Sequence, residues 1–385
     1  MSKPFHLLIK LILCVIILSV VMRIVASRKG MAFIAEGPGF QIAEATRSLW
    51  NNGSLSPQHY REVEKAASSL SARSSTFVWQ DVYTLGVNGA LYPKHSLFSV
   101  IAAIPFYAVF GESGFWLFHE FMFVCLVAAT FGVVYEITGA AFLWTTLLAT
   151  CLFSQTLFQV ASYGYDFHEA TLVTVGLYIS LRRPALGALL MNLAAFVRPS
   201  ALLISLPLSF AWCLSYPAVP RLARSALGTA AALFVFGATQ RVLYGSWLTT
   251  SYQHLPGYVN GEMVQYEHPL WSLDTLVADW PEKLHGQHGL LPWNVALLAL
   301  PFVLAQIRGE WHRAFLLLLL TSSLVSGLQI FAYPMWNASV MGNRFLTTAI
   351  SLYSIAFICV VGQFGRRIGA PSAKSSATPL VIKGP

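Results

Sequence analysis

Glu36 is the first acid after a long apolar run, and Gly37-Pro38-Gly39 follows it, a turn-rich stretch that holds a side chain close to the end of that run. A carboxylate half-buried in such a place has its pKa raised towards neutrality and can take a proton from a hydroxyl. Tyr92-Pro93-Lys94-His95 sets an aromatic ring, a cation and an imidazole directly before a second apolar run. Asp166, His168 and Glu169 stand together between two further runs and complete a polar floor, with the two acids as additional catalytic candidates. Arg198 precedes Pro199 among Phe196, Val197 and Leu202, and Arg344 follows Gly342 and Asn343 in a similar way. An arginine in apolar surroundings is costly without an anion, and a guanidinium grips phosphate through two parallel hydrogen bonds. A base and several cations are the parts needed to activate a hydroxyl and to receive a departing phosphate. The ordinary alternatives are a solvated loop acid at Glu36 and a snorkelling lysine at Lys94.

Other chemistries lack their residues. There is no nucleotide-binding glycine loop, no Ser-His-Asp spacing and no zinc spacing. Cys14, Cys125, Cys151, Cys213 and Cys359 all lie inside apolar runs without close pairing, so they read as small apolar residues. The net charge of +8 comes from Lys and Arg set in pairs between apolar runs, not from the basic stripe that nucleic acid would require.

The elements that position these residues are membrane helices. A chain of 385 residues that is 56% hydrophobic, with mean hydropathy +0.61, holds more apolar surface than one water-soluble core can hide. Its charged residues are 10% of the total and gather in the polar stretch from Ile34 to His95. Apolar runs lie at 7–26, 97–110, 115–137, 140–161, 169–181, 185–197, 200–215, 226–244, 290–307, 314–333 and 345–364. The 97–110 run, about 21 Å long as a helix against a hydrocarbon core of about 30 Å and carrying Pro105, reads as interfacial or re-entrant. Ten spanning helices remain. That count puts Arg182-Arg183, Arg221, Arg224, Arg308, Arg313 and Arg366-Arg367 on the cytoplasmic side with both termini. Of the acids only Glu136 and Glu310 then share that side, and the loops 30–95 and 246–289 face outwards. Arg23, Arg28 and Lys29 at the outer end of the first helix run against this orientation. Phe40 to Trp50 is patterned as a helix lying on the interface. The expectation is a single all-α polytopic domain over 1–367, with a disordered cytoplasmic tail at 368–385.

The order of these motifs resembles the GT-C membrane glycosyltransferases, of the protein mannosyltransferase and aminoarabinose transferase kind. The resemblance rests on the acid after the first helix, on Ser48-Leu49-Trp50 with Asn52-Gly53, and on Tyr92-Pro93-Lys94-His95-Ser96-Leu97 with Phe110-Gly111. It continues through Ala194-Ala195-Phe196-Val197-Arg198-Pro199-Ser200, Leu243-Tyr244-Gly245-Ser246 with Thr250-Ser251-Tyr252, and Gly342-Asn343-Arg344-Phe345-Leu346. The resemblance implies a GT-C-like fold in a bacterial plasma membrane with an extracytoplasmic active face. It also implies a polyprenyl-phosphate-linked sugar as donor and a glycan, lipid or protein as acceptor, with Glu36 as the base. Many relatives carry Asp-Glu-x-His-Tyr where this chain has Glu36, Gly37, Pro38, Gly39 and Phe40. The second acid and the histidine are missing, no metal ligand set is indicated, and metal use is left open.

The reading is therefore an inverting glycosyltransferase with Glu36, Asp166 and Glu169 as catalytic candidates and Tyr92, Lys94, His95, His168, Arg198 and Arg344 binding substrate. A sugar on a lipid phosphate already has a good leaving group, so the acceptor needs a base and the phosphate needs cations. The alternatives are a transporter or flippase of a lipid-linked saccharide, or an inactive scaffold in envelope glycan assembly. A transporter would place polar groups near the middle of the bilayer, where these helices read as almost wholly apolar.

Overall fold

The structure is a computed structural model that describes residues 3–29, 38–56, 77–78, 83–139, 142–152, 155–160, 163–215, 219–253, 255–259, 262–266, 272–286, 289–291, 294–306, 310–332 and 344–369. It is mostly helical, as the composition predicts. The longer helices are α1 (Lys3–Arg28), α2 (Pro38–Asn52), α3 (Leu97–Phe110), α4 (Ser113–Thr138), α5 (Asp166–Ser180), α6 (Pro184–Asn192), α7 (Leu202–Ser215), α8 (Val219–Tyr244), α9 (Glu310–Phe331) and α10 (Thr347–Gly369). Among the described residues, three helices are long and apolar enough to cross a membrane, at His6–Arg28, Ser113–Thr138 and Val219–Tyr244. The other runs expected to span give shorter apolar stretches, such as Phe315–Phe331 within α9 and Thr347–Gly362 within α10, or short helices joined to 3-10 turns. α1 leaves Leu13, Ile17, Val20, Val21 and Ile24 uncovered, and α8 leaves Leu227, Phe234 and Val242 uncovered, as faces turned to an apolar solvent would be.

Short strands, which the all-α expectation did not include, appear in the two polar loops. β1 (Phe77–Val78), β4 (Leu255–Val259) and β5 (Glu262–Tyr266) form one antiparallel sheet, while β2 (Tyr83–Leu85) and β3 (Leu91–Pro93) form a hairpin. The hairpin turns at Val87-Asn88-Gly89, where Gly89 takes φ +73 and the Asn88 Oδ1 accepts from the Ala90 N–H at 3.1 Å.

Helix direction follows from side-chain register. His119 lies beside His168, the Thr171 hydroxyl donates to the Met122 carbonyl at 3.2 Å, and Arg182 pairs with Glu136, so α4 and α5 run parallel. The chain between them must return to its starting end. It does so through a helical turn at Leu143–Leu147, a π-helical turn at Leu148–Leu152 and a further turn at Thr156–Gln159, where one span over 140–161 was expected. The Gln155 N–H donates to Asn294 Oδ1 at 3.2 Å instead of to a carbonyl one turn back, which takes this segment out of regular helix. α3 begins and ends at one end of the bundle, because Ser99 in its first turn and His119 early in α4 both bond His168.

Arg23 in α1 is only 5% exposed; it pairs with Glu120 of α4 and lies over the Trp116 ring at 4.1 Å. A positive charge that seemed to contradict the orientation is therefore neutralised within the bundle. Asn192 of α6 ties α6, α7 and α8 together: its Nδ2 donates to Ala188 O and Ser209 Oγ at 2.9 Å, and its Oδ1 accepts from the Ser205 hydroxyl at 2.9 Å. These helices approach closely, since a Cβ on Gly228 would stand 1.9 Å from the Ala185 carbonyl oxygen.

Candidate functional site

Two chain connections meet at the end of the bundle where α3, α4 and α5 begin. In the first, β3 ends at Pro93 and Lys94, His95 and Ser96 lead into α3. Ser96 takes φ 54, and its Oγ accepts from the Ser99 N–H at 3.3 Å, capping the helix. In the second, the 3-10 turn Leu193–Phe196 closes α6, and Pro199 forces Arg198 into extended backbone at φ −147, ψ 126. The Ser96 N–H donates to the Val197 carbonyl at 3.3 Å, joining the two connections through their backbones.

Arg198 is turned inward, where its Nη2 meets Asp166 Oδ1 at 2.8 Å in an ion pair whose side chains are 10% and 3% exposed. Burial works against the Arg198 charge, and Asp166 together with Tyr165, Tyr252 and Glu169 outweighs it, so the guanidinium stays protonated. The Phe345 ring lies 4.1 Å from its central carbon and the Tyr165 ring 5.8 Å. Its Nε is buried and has no hydrogen-bond partner among the described residues. One N–H of a buried cation is thus open to a further acceptor there. Glu169, one turn along α5 from Asp166, accepts a hydrogen bond from the Thr348 hydroxyl of α10 at 2.9 Å.

Lys94 and His95 are 3% and 7% exposed. His95 stacks on Tyr165 at 5.1 Å, and its Nδ1 is 2.9 Å from the Tyr252 hydroxyl; Lys94 Nζ lies 4.9 Å from the centre of the Tyr252 ring. Tyr165 therefore touches both Arg198 and His95, and Tyr252 touches both Lys94 and His95. The structure brings together Lys94, His95, Asp166, Glu169 and Arg198, as the sequence suggested. Tyr92 is close by, and its hydroxyl accepts from Asn88 Nδ2 at 2.7 Å.

His168 is a different case. Expected to bind substrate, it turns away into the bundle, where its Nδ1 is 2.7 Å from Ser99 Oγ and its Nε2 is 3.2 Å from His119 Nδ1. It packs edge-on against Phe118 and Phe167, so it serves the interior. Arg344 lies in the 3-10 turn Arg344–Leu346 that opens α10, at the start of the last helix as expected. Glu36 lies outside the described residues. Downstream of it, Gly39 rests directly on the loop leading to Asp166, since a Cβ there would stand 2.3 Å from the Tyr163 carbonyl oxygen. Glycine at position 39 thus has a steric cause.

Sequence reasoning missed Tyr165, Tyr252, Phe345 and Thr348 as site residues. Tyr165 adjoins Asp166 and Phe345 adjoins Arg344, so the signal was adjacency to charged residues already singled out. Comparison of the chain with family models, with curated proteins and with solved structures gives no match.

Proposed function

We propose that the protein is an inverting glycosyltransferase that moves a sugar from a polyprenyl-phosphate carrier to an acceptor hydroxyl at the extracytoplasmic face of a bacterial plasma membrane. The observation that carries this reading is Arg198: buried, ion-paired on one side and holding on the other an Nε–H with no partner among the described residues, with Lys94 beyond two shared tyrosine rings. A phosphate oxygen is the acceptor that suits that N–H. In this reading Arg198, Lys94 and Arg344 receive the departing phosphate, and Glu36 takes the proton of the acceptor hydroxyl. Asp166 holds Arg198, and Glu169 stands beside it as a second acid. A single displacement inverts the anomeric centre. A GT-C-like fold with ten crossings is part of the proposal. It is supported by the parallel run of α4 and α5, the return between them, and the start and finish of α3 at one end.

The transporter reading would draw on polar groups inside the helices, such as those around Asn192. Its amide donates to Ala188, Ser209 and Thr229 and accepts from Ser205, so its bonding capacity is used within the protein and favours packing over passage.

The test is turnover. Protein in lipid nanodiscs, given a panel of polyprenyl-phosphate-linked sugars and a hydroxylated acceptor, should release polyprenyl phosphate with inversion at the anomeric carbon. Glu36→Gln should lower turnover about 10²-fold or more with donor binding largely kept. Failure of every donor to bind or react would end the proposal, and loss of turnover in Glu169→Gln but not in Glu36→Gln would move the base to α5.

A further inference from the structure

We infer that a notch between α1 and the Leu143–Leu147 turn binds one anionic phospholipid, with an acyl chain in the notch and the phosphate on Lys10. The inference goes beyond the transferase reading, because the notch lies at the end of the bundle away from the site. Arg23 of α1 pairs with Glu120 near the start of α4, and Lys10 comes 13 residues before Arg23, about 20 Å along a helix. Trp144 follows the other end of α4, which closes at Thr138.

The notch holds about 270 Å³, just under the usual range of small-molecule sites, and is lined by Lys10, Leu11, Leu13, Cys14, Trp144 and Leu147. Leu11 and Leu147 are buried, while Leu13 and Trp144 are 53% and 67% exposed, so the first two form its floor and the others its rim. Lys10, Leu13 and Cys14 share one face of α1, since residues three and four apart are neighbours on a helix. The chain returning from α4 leaves the gap, because its turn at Leu143–Leu147 passes into the π-helical turn Leu148–Leu152 instead of running as a straight helix beside α1. Apart from the Lys10 ammonium the lining is apolar, so a polar ligand would give up its bonds to water and gain none in return. A hydrocarbon chain gives up nothing, and it supplies the dispersion contacts that an empty notch lacks.

Charge decides which lipid. Lys10 is exposed and has no ion partner among the described residues. Its Cβ is tilted towards the start of α1, as in any helix, which carries the ammonium along the apolar surface to headgroup depth. α10 adds to the positive charge. A Cβ on Gly362 would stand 2.2 Å from the Phe142 ring, so α10 touches the chain just before the turn, and Arg366 and Arg367 follow about one helical turn later. Glu136, an acid at this end, is already engaged by Arg182. Cations above an apolar notch with a tryptophan at its rim match the phosphate, glycerol and acyl layers of a phospholipid. A zwitterionic headgroup brings its own cation and gains less from Lys10.

Trp144 reports on the notch. The full chain in phosphatidylcholine nanodiscs is titrated with chain-brominated phosphatidylglycerol or chain-brominated phosphatidylcholine. The chain has 11 tryptophans, so the Trp144 signal is taken as wild type minus Trp144→Phe. Half-quenching at about fivefold less phosphatidylglycerol than phosphatidylcholine is expected, the effect of one lysine near an anionic headgroup. Lys10→Gln should remove that preference and Lys10→Arg should keep it; Lys10 is exposed, so neither change threatens the fold. Equal quenching by the two lipids in wild type, or an undiminished preference in Lys10→Gln, would overturn the inference. Quenching by neither lipid, with Leu13→Cys trapping a disulfide-linked dimer, would give the notch to a second copy of the chain and overturn it equally. None of these outcomes reads turnover, so each leaves the transferase reading to its own test.

Discussion

At Arg198 the cost of burying a charge and the use of that charge fall on one side chain. The pair with Asp166 lies where solvent screening is weak, so removing either partner leaves an uncompensated buried charge, a penalty on the order of 3–5 kcal/mol. Asp166→Asn and Arg198→Ala should each destabilise the protein by about that amount. The double variant should cost far less than the sum, because the second change removes the charge that the first stranded. Denaturation of all four proteins in one detergent measures the coupling, and simple additivity would mean that the ion pair does not operate. Donor binding separates the roles further. Arg198→Lys keeps the charge but replaces the planar fork with a point charge, so it should bind phosphate less tightly than wild type while unfolding later than Arg198→Ala.

At the scale of elements, the site depends on α2 lying against the loop before α5 and on α2 being held to the α3–α4 connection. Gly39→Ala would push a methyl group into the Tyr163 carbonyl, so α2 must shift or Tyr163 must yield. A stability loss of about 1–3 kcal/mol, the usual range for an added group in a packed place, is expected together with reduced turnover. Unchanged melting would mean that the contact is loose. At its other side α2 is clasped through Arg47, whose Nε donates to Glu112 Oε1 at 2.8 Å while Nη1 pairs with Glu44. The bond from Arg47 holds the Glu112 carboxyl below the ordinary glutamate range. Its contribution is therefore complete above about pH 4.3, the free glutamate value, and is lost as pH falls through the lower folded value. The thermal advantage of wild type over Glu112→Gln, present at pH 6, should shrink steadily as pH falls below about 4.3, and an advantage that does not depend on pH would exclude the clasp. Much of this was legible in advance. The 97–110 run matches α3 residue for residue, since Ser96 can cap it and Gly111, at φ +58, can end it. The place of Arg198 before Pro199 was equally plain, because proline dictates the backbone ahead of it. The hairpin before Lys94 was not legible, since strands of three residues lie beneath any hydrophobic period. Nor was the inward turn of His168, whose partners Ser99 and His119 are 69 and 49 residues away in the chain. A neighbouring Asp and Glu made it look like part of their cluster, while Phe118 and Phe167 decide that it packs.

The molecule as a whole has two unlike ends. At one end the β2–β3 hairpin, Lys94, Asp166 and Arg198 come together, and the Val87 N–H donates to the Leu243 carbonyl at 3.0 Å, bringing the end of α8 to the same place. At the other end lie the turn of Arg182 and Arg183 between α5 and α6, and the start of α8 at Val219, whose Gly228 packs on Ala185. The proposed reading puts the second end inside and the site outside, because basic residues in short loops favour the cytoplasmic side. Arg23, the main objection to that orientation, is engaged by Glu120 within the bundle and does not need to reach a headgroup on either side. Single cysteines at Asn88 and Asp274, both exposed and at or near the site end, should react with a membrane-impermeant thiol reagent in intact cells, above the background of the native cysteines. Cysteines at Arg183 and Val219, also exposed, should react only after the cells are opened. The reverse pattern would turn the site towards the cytoplasm, where an extracytoplasmic lipid-linked sugar could not reach Arg198, and labelling of all four from outside would show that the helices do not separate two compartments.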